Sequence, residues 1–263
     1  MRTIVLFLIL LGCGTSHITA QNDYLVTTIP NQEDPLSEEE QFIKENFPLQ
    51  LLCKWTPGMK FMFIPSGCDM FLPTLSVYET EKGADNSVLK HKILTFAGYE
   101  EKSQKLSNDM SYSTRLIFEC DGEKYYYEIK NTRPDEICEK NPRAYINGLV
   151  NLKDVDTAKD LLTGRKIYVQ SDMAQVDDAN SYSGYREVSI PVNTEATITA
   201  IGVGSQAYPV KIIFQDSQGH SYYLEVALSR TNSGMDVSDF QAEKKMRYFS
   251  CLLYTSPSPR DTR

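Results

Sequence analysis

The chain has 263 residues, a formal net charge of −8 at pH 7 and 41% hydrophobic residues. An acidic chain without a run of lysine or arginine argues against nucleic acid or an anionic membrane surface as the partner. The length allows one large or two small domains, at roughly 100–200 residues per domain.

The first 20 residues predict a signal peptide. Arg2 precedes an unbroken apolar run, residues 4–11, which is too short for a spanning helix of about 20 residues. Two processing sites compete: cleavage after Ala20, which resembles the junctions of exported Bacteroidetes-type proteins, or lipidation of Cys13 in the lipobox-like LLGC. Either route predicts an exported protein, periplasmic or, with a lipid on Cys13, attached to the outer membrane. No later apolar segment reaches spanning length, so no transmembrane anchor is predicted.

Residues 21–54 predict a polar leader followed by a short helix. Pro30 and Pro35 favour an extended leader, and Ser37 with Glu40 forms a capping-box pattern at the start of SEEEQFIKENFP. The proline that closes this stretch ends the helix.

Two later stretches have the same pattern. YSTRLIFECDGEKYYYEI begins at Tyr112 and YPVKIIFQDSQGHSYYLEV begins at Tyr208, with matching tyrosine, basic, aromatic and glycine positions. Upstream, GMKFMFI resembles GRKIYVQ, and LTFAG resembles ITAIG, in the same order. The sequence therefore predicts an internal duplication with a period of about 100 residues, which is too long for a solenoid unit.

Glycine turns and strand alternation define the end of each copy. The D-G and Q-G pairs predict tight hairpins, because glycine tolerates positive φ. Alternation places Tyr125, Tyr127 and Ile129 on one face of a strand and Tyr126 and Glu128 on the other. These rings are expected to pack a small barrel, and ligand stacking is the alternative.

The order of strand, long loop, strand, tight hairpin and strand resembles the bacterial SH3-like barrel. We therefore expect a mainly β fold with two tandem small SH3-like β-barrels, residues 55–135 and 162–230, each preceded by a short helix. Residues 136–161 predict a linker that contains the second helix, in DVDTAKDLLTG. An OB-like barrel is the alternative. The resemblance implies a targeting or binding module, often found beside a catalytic domain that acts on the cell wall.

The C-terminal part departs from this pattern. Residues 231–250 predict a linker and the start of a further unit. Residues 251–263, CLLYTSPSPRDTR, change abruptly in composition and resemble an adapter- or vector-derived translation. They are expected to be a non-native tail without a fold.

Four cysteines lie between the signal and the tail: Cys53, Cys68, Cys120 and Cys138. In an exported protein they permit two disulfides with three connectivities. Cys53–Cys68 with Cys120–Cys138 is the local solution, and buried free thiols are the main alternative. Their spacing suits no zinc module, so neither a metal nor a cofactor is predicted.

No motif predicts catalysis, since P-loop and G-x-G-x-x-G patterns are absent from the sequence. Four loop tyrosines are the candidate ligand-binding residues, because sugars and peptides stack on such rings: Tyr78, Tyr99, Tyr182 and Tyr185. The sequence thus predicts a non-catalytic binding module of the cell envelope whose ligand is a peptide, peptidoglycan or glycan. The alternatives are a structural spacer or protein–protein assembly subunit, and a fragment of a larger cell-wall enzyme.

Overall fold

The computed structural model describes residues 38–65, 72–106, 109–143, 146–169, 172–181, 184–205 and 208–226. The predicted signal peptide with Cys13, the leader up to Ser37, and residues 227–263 lie outside the described residues. The described residues belong to one compact unit. The fold is mainly β, with two six-stranded antiparallel sheets, one of them a half-barrel. Within this part of the chain, none of the helices combines the length and apolar character needed to cross a bilayer.

The strands of the first sheet are β1 (Lys60–Phe63), β2 (Ser76–Val77), β3 (Ile93–Leu106), β4 (Asp109–Cys120), β5 (Glu123–Lys130) and β6 (Leu149–Asn151). Those of the second are β7 (Lys166–Val169), β8 (Met173–Asp177), β9 (Tyr185–Ser189), β10 (Thr194–Val203), β11 (Val210–Asp216) and β12 (Ser221–Val226). The helices are α1 (Glu38–Asn46), α2 (Asn86–Leu89), α3 (Ile137–Lys140) and α4 (Leu152–Leu162), with 3₁₀ turns at Leu52–Lys54 and Pro134–Glu136.

The two sheets repeat one strand order. In the first copy, β2, β5, β4, β3 and β1 lie side by side in that order. In the second copy, β8, β12, β11, β10 and β7 do the same. β6 extends the first sheet beside β1, and β9 extends the second sheet beside β8. The duplication predicted from the sequence is therefore present in the backbone.

A β-bulge occupies the same place in both copies, and it corrects the sequence alignment. The bulge falls between Phe96 and Gly98 in β3, and between Ile198 and Ala200 in β10. Gly98 therefore corresponds to Ala200, whereas matching LTFAG to ITAIG paired it with Gly202. The sequence alignment is wrong here by two residues. An even shift keeps every side chain on its face of the sheet, so the hydrophobic pattern does not reveal the error.

The predicted hairpin turn in the first copy is present. Asp121 and Gly122 join β4 to β5, and both have positive φ, 51° and 83°. This is the conformation that two-residue hairpins need to match the strand twist. The alternation also follows the prediction, since Tyr125 and Ile129 are buried in the core and Tyr126 is not part of it.

The first core is built around the single tryptophan. Trp55 is 3% exposed, and its ring centre lies 4.5 Å from that of Phe61, 5.6 Å from Phe96 and 6.5 Å from Phe118. Tilted and edge-on contacts of this kind are the favoured geometry for aromatic pairs. Trp55 is thus a core residue.

Both longer helices lie near their predicted positions. α1 falls within SEEEQFIKENFP, but α4 begins at Leu152, two residues before the stretch DVDTAKDLLTG in which it was predicted. Asn151, the last residue of β6, is the cap, since its side-chain oxygen accepts a 3.0 Å hydrogen bond from the Lys153 N–H. Asp154 lies buried in the first turn, where the helix dipole favours a carboxylate.

The segment before the first copy packs into the core of the second. Phe47, directly after α1, is completely buried in a cluster with Leu162 of α4 and Phe214 of β11. Phe42 packs against the same cluster, and the Arg165 guanidinium lies 5.9 Å from its ring centre. Residues that precede the first copy are therefore part of the second hydrophobic core.

The disulfide differs from the local pairing predicted from the sequence. Cys53 is bonded to Cys138, with their Cα atoms 5.2 Å apart, whereas Cys120 is a buried free thiol. Cys68 lies outside the described residues. The long-range pairing is possible because the chain enters and leaves the first copy at the same place. There the Leu52 N–H donates a 2.8 Å hydrogen bond to the Pro142 carbonyl.

Candidate binding groove

In both copies a basic side chain lies over a tyrosine ring. The Arg115 guanidinium carbon is 4.1 Å from the centre of the Tyr126 ring, and Lys211 Nζ is 3.5 Å from the centre of the Tyr223 ring. The register of β4 on β5 and of β11 on β12 makes the two pairs equivalent. Both tyrosines are buried, but neither is a member of the two core clusters, so the pairs lie on the other face of each sheet. Such cation–π contacts attract because the ring face is electronegative.

Cross-strand neighbours extend this equivalence. A glutamate lies opposite each basic residue, Glu128 opposite Arg115 and Glu225 opposite Lys211. On the other side of each tyrosine, β2 and β8 occupy the same position, because Ser76 pairs with Tyr126 and Gln175 pairs with Tyr223.

In the first copy the hairpin that begins with β2, and in the second the hairpin that begins with β8, supplies one tyrosine and one acidic residue to the cluster. The tyrosine and the acidic residue have swapped positions between the two copies. Ser76 bridges Gly83, and Gln175 pairs with Glu187. Two residues from these pairs toward the hairpin turn, Tyr78 of the first copy corresponds to Asp177 of the second. On the other arm of the hairpin, Glu81 corresponds to Tyr185. Each copy therefore has the same five components: a basic residue over a tyrosine, a glutamate, and a second tyrosine and acid from the hairpin. These equivalent sets are Arg115, Tyr126, Glu128, Tyr78 and Glu81 in the first copy, and Lys211, Tyr223, Glu225, Asp177 and Tyr185 in the second.

In the first copy the cluster is closed by its own side chains. Glu81 lies 2.7 Å from Arg115 Nη2 and 3.0 Å from Lys102 Nζ. Hydrogen bonds from Arg115 and then Lys102 hold the pKa of Glu81 below its usual value. The Tyr78 hydroxyl donates a 2.7 Å hydrogen bond to Glu100. Arg115 is only 5% exposed, so its guanidinium is covered by its neighbours, whereas the outer side of Glu81 remains exposed.

In the second copy the equivalent place is an open groove. Its volume is about 750 Å³, and Asp177, Tyr185, Lys211, Tyr223 and Glu225 are among the residues that line it. Lys211 Nζ is 3.5 Å from Asp177 Oδ1, and the Asp177 side chain is 82% exposed. An ion pair that exposed contributes little stability, so a ligand could replace it at small cost.

Two glycines account for the difference between the copies. Opposite the basic residue, β3 has Glu100 and β10 has Gly202, and two residues further Lys102 corresponds to Gly204. The side chains that close the first cluster are thus missing from the second. A Cβ on Gly202 would meet no atom within 4 Å, whereas a Cβ on Gly204 would lie 2.3 Å from the Tyr208 carbonyl oxygen. The Gly202 position is therefore open space, and Gly204 is required by the close backbone approach.

The groove is polar and mainly acidic. Burial raises the pKa of Tyr223 to about 12, and the Asp177 and Glu225 carboxylates add to the effect, so its phenol is neutral and can donate a hydrogen bond at physiological pH. The Ser205 N–H donates a 3.2 Å hydrogen bond to Glu225, which fixes the start of the loop beside the groove. These groups present a tyrosine hydroxyl, an ammonium and several carboxylates to a bound molecule.

The four tyrosines proposed from the sequence do not come together at one site. Tyr185 lines the groove of the second copy. Tyr78 belongs to the closed cluster of the first copy, where its ring meets the Tyr126 ring edge-on at 6.4 Å. Tyr182 lies outside the described residues.

Tyr99 packs against the first core. Its ring lies edge-on to Phe96 at 5.0 Å, and its hydroxyl donates hydrogen bonds to the carbonyls of Leu52 and Trp55. Burial raises the pKa of Tyr99 to about 12. The side chain fixes the 3₁₀ turn at the entrance of the first copy, which is a structural role.

Sequence reasoning missed Lys211, Tyr223 and Glu225 as groove residues. The signal was present, because each matches a residue of the first copy in the duplication. The contrast between Glu100 and Gly202 could not be seen in the sequence. Gly98 had been matched to Gly202, which made β3 and β10 look alike.

Comparison of the chain with protein-family models, with curated proteins and with solved structures found no match. The class of the protein is therefore defined by its own fold and site: a mainly β protein with a duplicated five-strand unit, one copy of which has an open polar groove.

Proposed function

We propose that the protein is a non-catalytic binding module of the cell envelope, whose groove in the second copy binds a peptide, peptidoglycan or glycan. We also propose that each five-strand copy is an SH3-like barrel. One observation carries the functional proposal: the same cation–tyrosine–carboxylate cluster is closed by its own side chains around Arg115 and open around Lys211. A duplicated unit that loses its covering side chains in one copy gains a place for a ligand.

The disulfide supports export. Disulfides persist in oxidising compartments such as the periplasm and are rare in the cytosol. Cys53–Cys138 therefore agrees with the signal peptide predicted at residues 1–20. On this proposal the protein is periplasmic, or an outer-membrane lipoprotein if Cys13 carries a lipid.

The composition of the groove supports binding rather than catalysis. Nucleophilic catalysis usually needs a serine, cysteine or threonine next to a base that takes its proton. The described lining of the groove includes Ser205 but neither a histidine nor a cysteine. The hydrogen bond between Ser205 and Glu225 is donated by the Ser205 backbone N–H and not by its hydroxyl.

A structural spacer is the second candidate function. It is favoured by the burial of Phe47, because this residue precedes the first copy in sequence but packs in the core of the second. Such an arrangement would suit a stiff connector between other envelope proteins, and a connector does not need the groove to be open.

Gly202→Glu tests the binding function directly. The substitution restores the side chain that β3 has at Glu100, and the open space at Gly202 accepts it without displacing backbone. We expect wild-type protein to co-sediment with purified peptidoglycan and Gly202→Glu to bind roughly tenfold more weakly or worse, because a filled pocket excludes its ligand.

The matched control is Ser221→Glu, which adds the same charge at an exposed position on β12, at the end away from the groove. It should pellet like the wild type, and all three proteins should melt at similar temperatures. Wild-type protein that stays in the supernatant would remove the wall ligand and favour the assembly role. Equal pelleting of Gly202→Glu and wild type would show that the groove is not the binding site.

A further inference from the structure

We infer that the groove of the second copy recognises a peptide that carries a basic side chain, lysine or arginine, next to β9. The inference rests on the proposed binding function and narrows its ligand. It follows from the charges in the groove, from the place of its two most accessible acids, and from the position of β9 as the last described strand of its sheet.

Carboxylates outnumber cations in the groove. Among the described residues, Asp177, Glu187 and Glu225 line it together with one basic residue, Lys211. The basic residue of β9, Arg186, is not among the described residues that line the groove, and it lies 3.8 Å from Asp178. Electrostatic complementarity therefore favours a cationic ligand and opposes an anionic one.

The two most accessible acids form a place for one cation. Asp177 pairs with Tyr185, and Gln175 pairs with Glu187, so Asp177 and Glu187 are diagonal neighbours on one face. Side chains in this relation come within reach of a shared partner. Tyr185 stands beside both, and its ring can add a cation–π contact to an ammonium or guanidinium group.

In the first copy, two basic side chains of the protein pair with the acid of the hairpin, and in the second a ligand cation could do so. The hairpin acid of the first copy, Glu81, is held by Arg115 at 2.7 Å and by Lys102 at 3.0 Å. In the second copy the counterpart of Lys102 is Gly204, and the hairpin acid Asp177 forms a longer, 3.5 Å ion pair with Lys211. A ligand cation would take the place that Lys102 fills in the first copy.

The edge of β9 favours a peptide over a free amine or an amino sugar. β9 is the last strand of its sheet, and among the described residues only β8 pairs with it. Its outer edge, from Arg186 to Ser189, therefore faces no other described strand, and an extended peptide can add to such an edge as a further strand. Alternate side chains of that strand would face the groove, next to Tyr185 and Glu187.

Selection from a random heptapeptide library tests the inference. The library is panned on the full chain and, in parallel, on Asp177→Asn/Glu187→Gln and on a control, Asp135→Asn/Glu139→Gln, which removes two exposed carboxylates from the first copy. We expect lysine and arginine to be enriched on wild type and control but not on the groove variant. A selected peptide should bind the groove variant roughly tenfold more weakly, since exposed charge pairs have modest energies.

Peptides selected without basic residues, or bound equally by the groove variant, would overturn the inference. If wild type nevertheless pellets with peptidoglycan and Gly202→Glu does not, the proposed function stands and only the ligand chemistry is wrong. If no peptide is enriched and nothing pellets, the proposed function fails together with the inference. Thermal unfolding of each variant separates a binding defect from a folding defect.

Discussion

Replacing Cys53 and Cys138 together by serine is expected to lower the free energy of unfolding by about 2–5 kcal/mol. The bond joins residues 85 apart in sequence, and a cross-link that closes so long a loop restricts the unfolded chain strongly in the chain-entropy model. It also ties the 3₁₀ turn before β1 to α3 after β5, the two ends of the first copy. The loss should therefore appear as lower stability of the first copy in urea.

Two measurements identify the bond as the cause. Peptide mapping without reduction should yield a fragment that joins Cys53 to Cys138, and a reductant should destabilise wild type but not the double variant. Cys120→Ala, which removes the buried free thiol, should keep the response to reductant. A Cys120–Cys138 fragment, or equal responses to reductant in wild type and the double variant, would contradict the observed pairing.

Phe47→Ala is expected to lower the free energy of unfolding by about 3–5 kcal/mol, as for other fully buried phenylalanines. The residue lies before the first copy in sequence, yet it is completely buried in the second core. Its removal leaves a cavity in that core. The substitution should therefore destabilise the second copy first, and the first copy only if the two unfold together.

The single tryptophan makes this outcome measurable. Trp55 lies in the first core, so its fluorescence reports on the first copy, whereas far-UV circular dichroism reports on both sheets. We expect Phe47→Ala to shift both transitions to lower urea together. Phe61→Ala, a matched truncation in the first core, should do the same. A tryptophan transition that Phe47→Ala leaves unmoved would mean that the copies unfold independently.

Those parts of the fold that depend on neighbours in sequence could be predicted. The Asp121–Gly122 turn and the alternation of Tyr125 with Tyr126 are local, and both are present in the structure. The partner of Cys53 and the position of Phe47 depend on where distant segments meet. No spacing rule determines that, so the local disulfide pairing was wrong and the packing of Phe47 was not foreseen.

The site was predicted only in part, for a related reason. Tyr185 was identified because a tyrosine in a loop suggests a ligand, and the same reasoning selected Tyr99, which packs against a core. Strand register separates the two cases. The equivalent bulges in β3 and β10 give an alignment that differs by two residues from the match of LTFAG to ITAIG. Only this alignment places Gly202 at the position of Glu100, where the groove is left open.

The chemical shifts of glycine amides test whether the duplicated cluster binds a ligand only in the second copy. Soluble peptidoglycan fragments would be titrated into ¹⁵N-labelled protein. We expect the amides of Gly184, which lines the groove, and of Gly202, the β10 partner of Lys211, to shift with added fragments, while those of Gly98 and Gly122 in the first copy stay in place. Shifts confined to Gly98 and Gly122, or no shift at any glycine, would contradict the account.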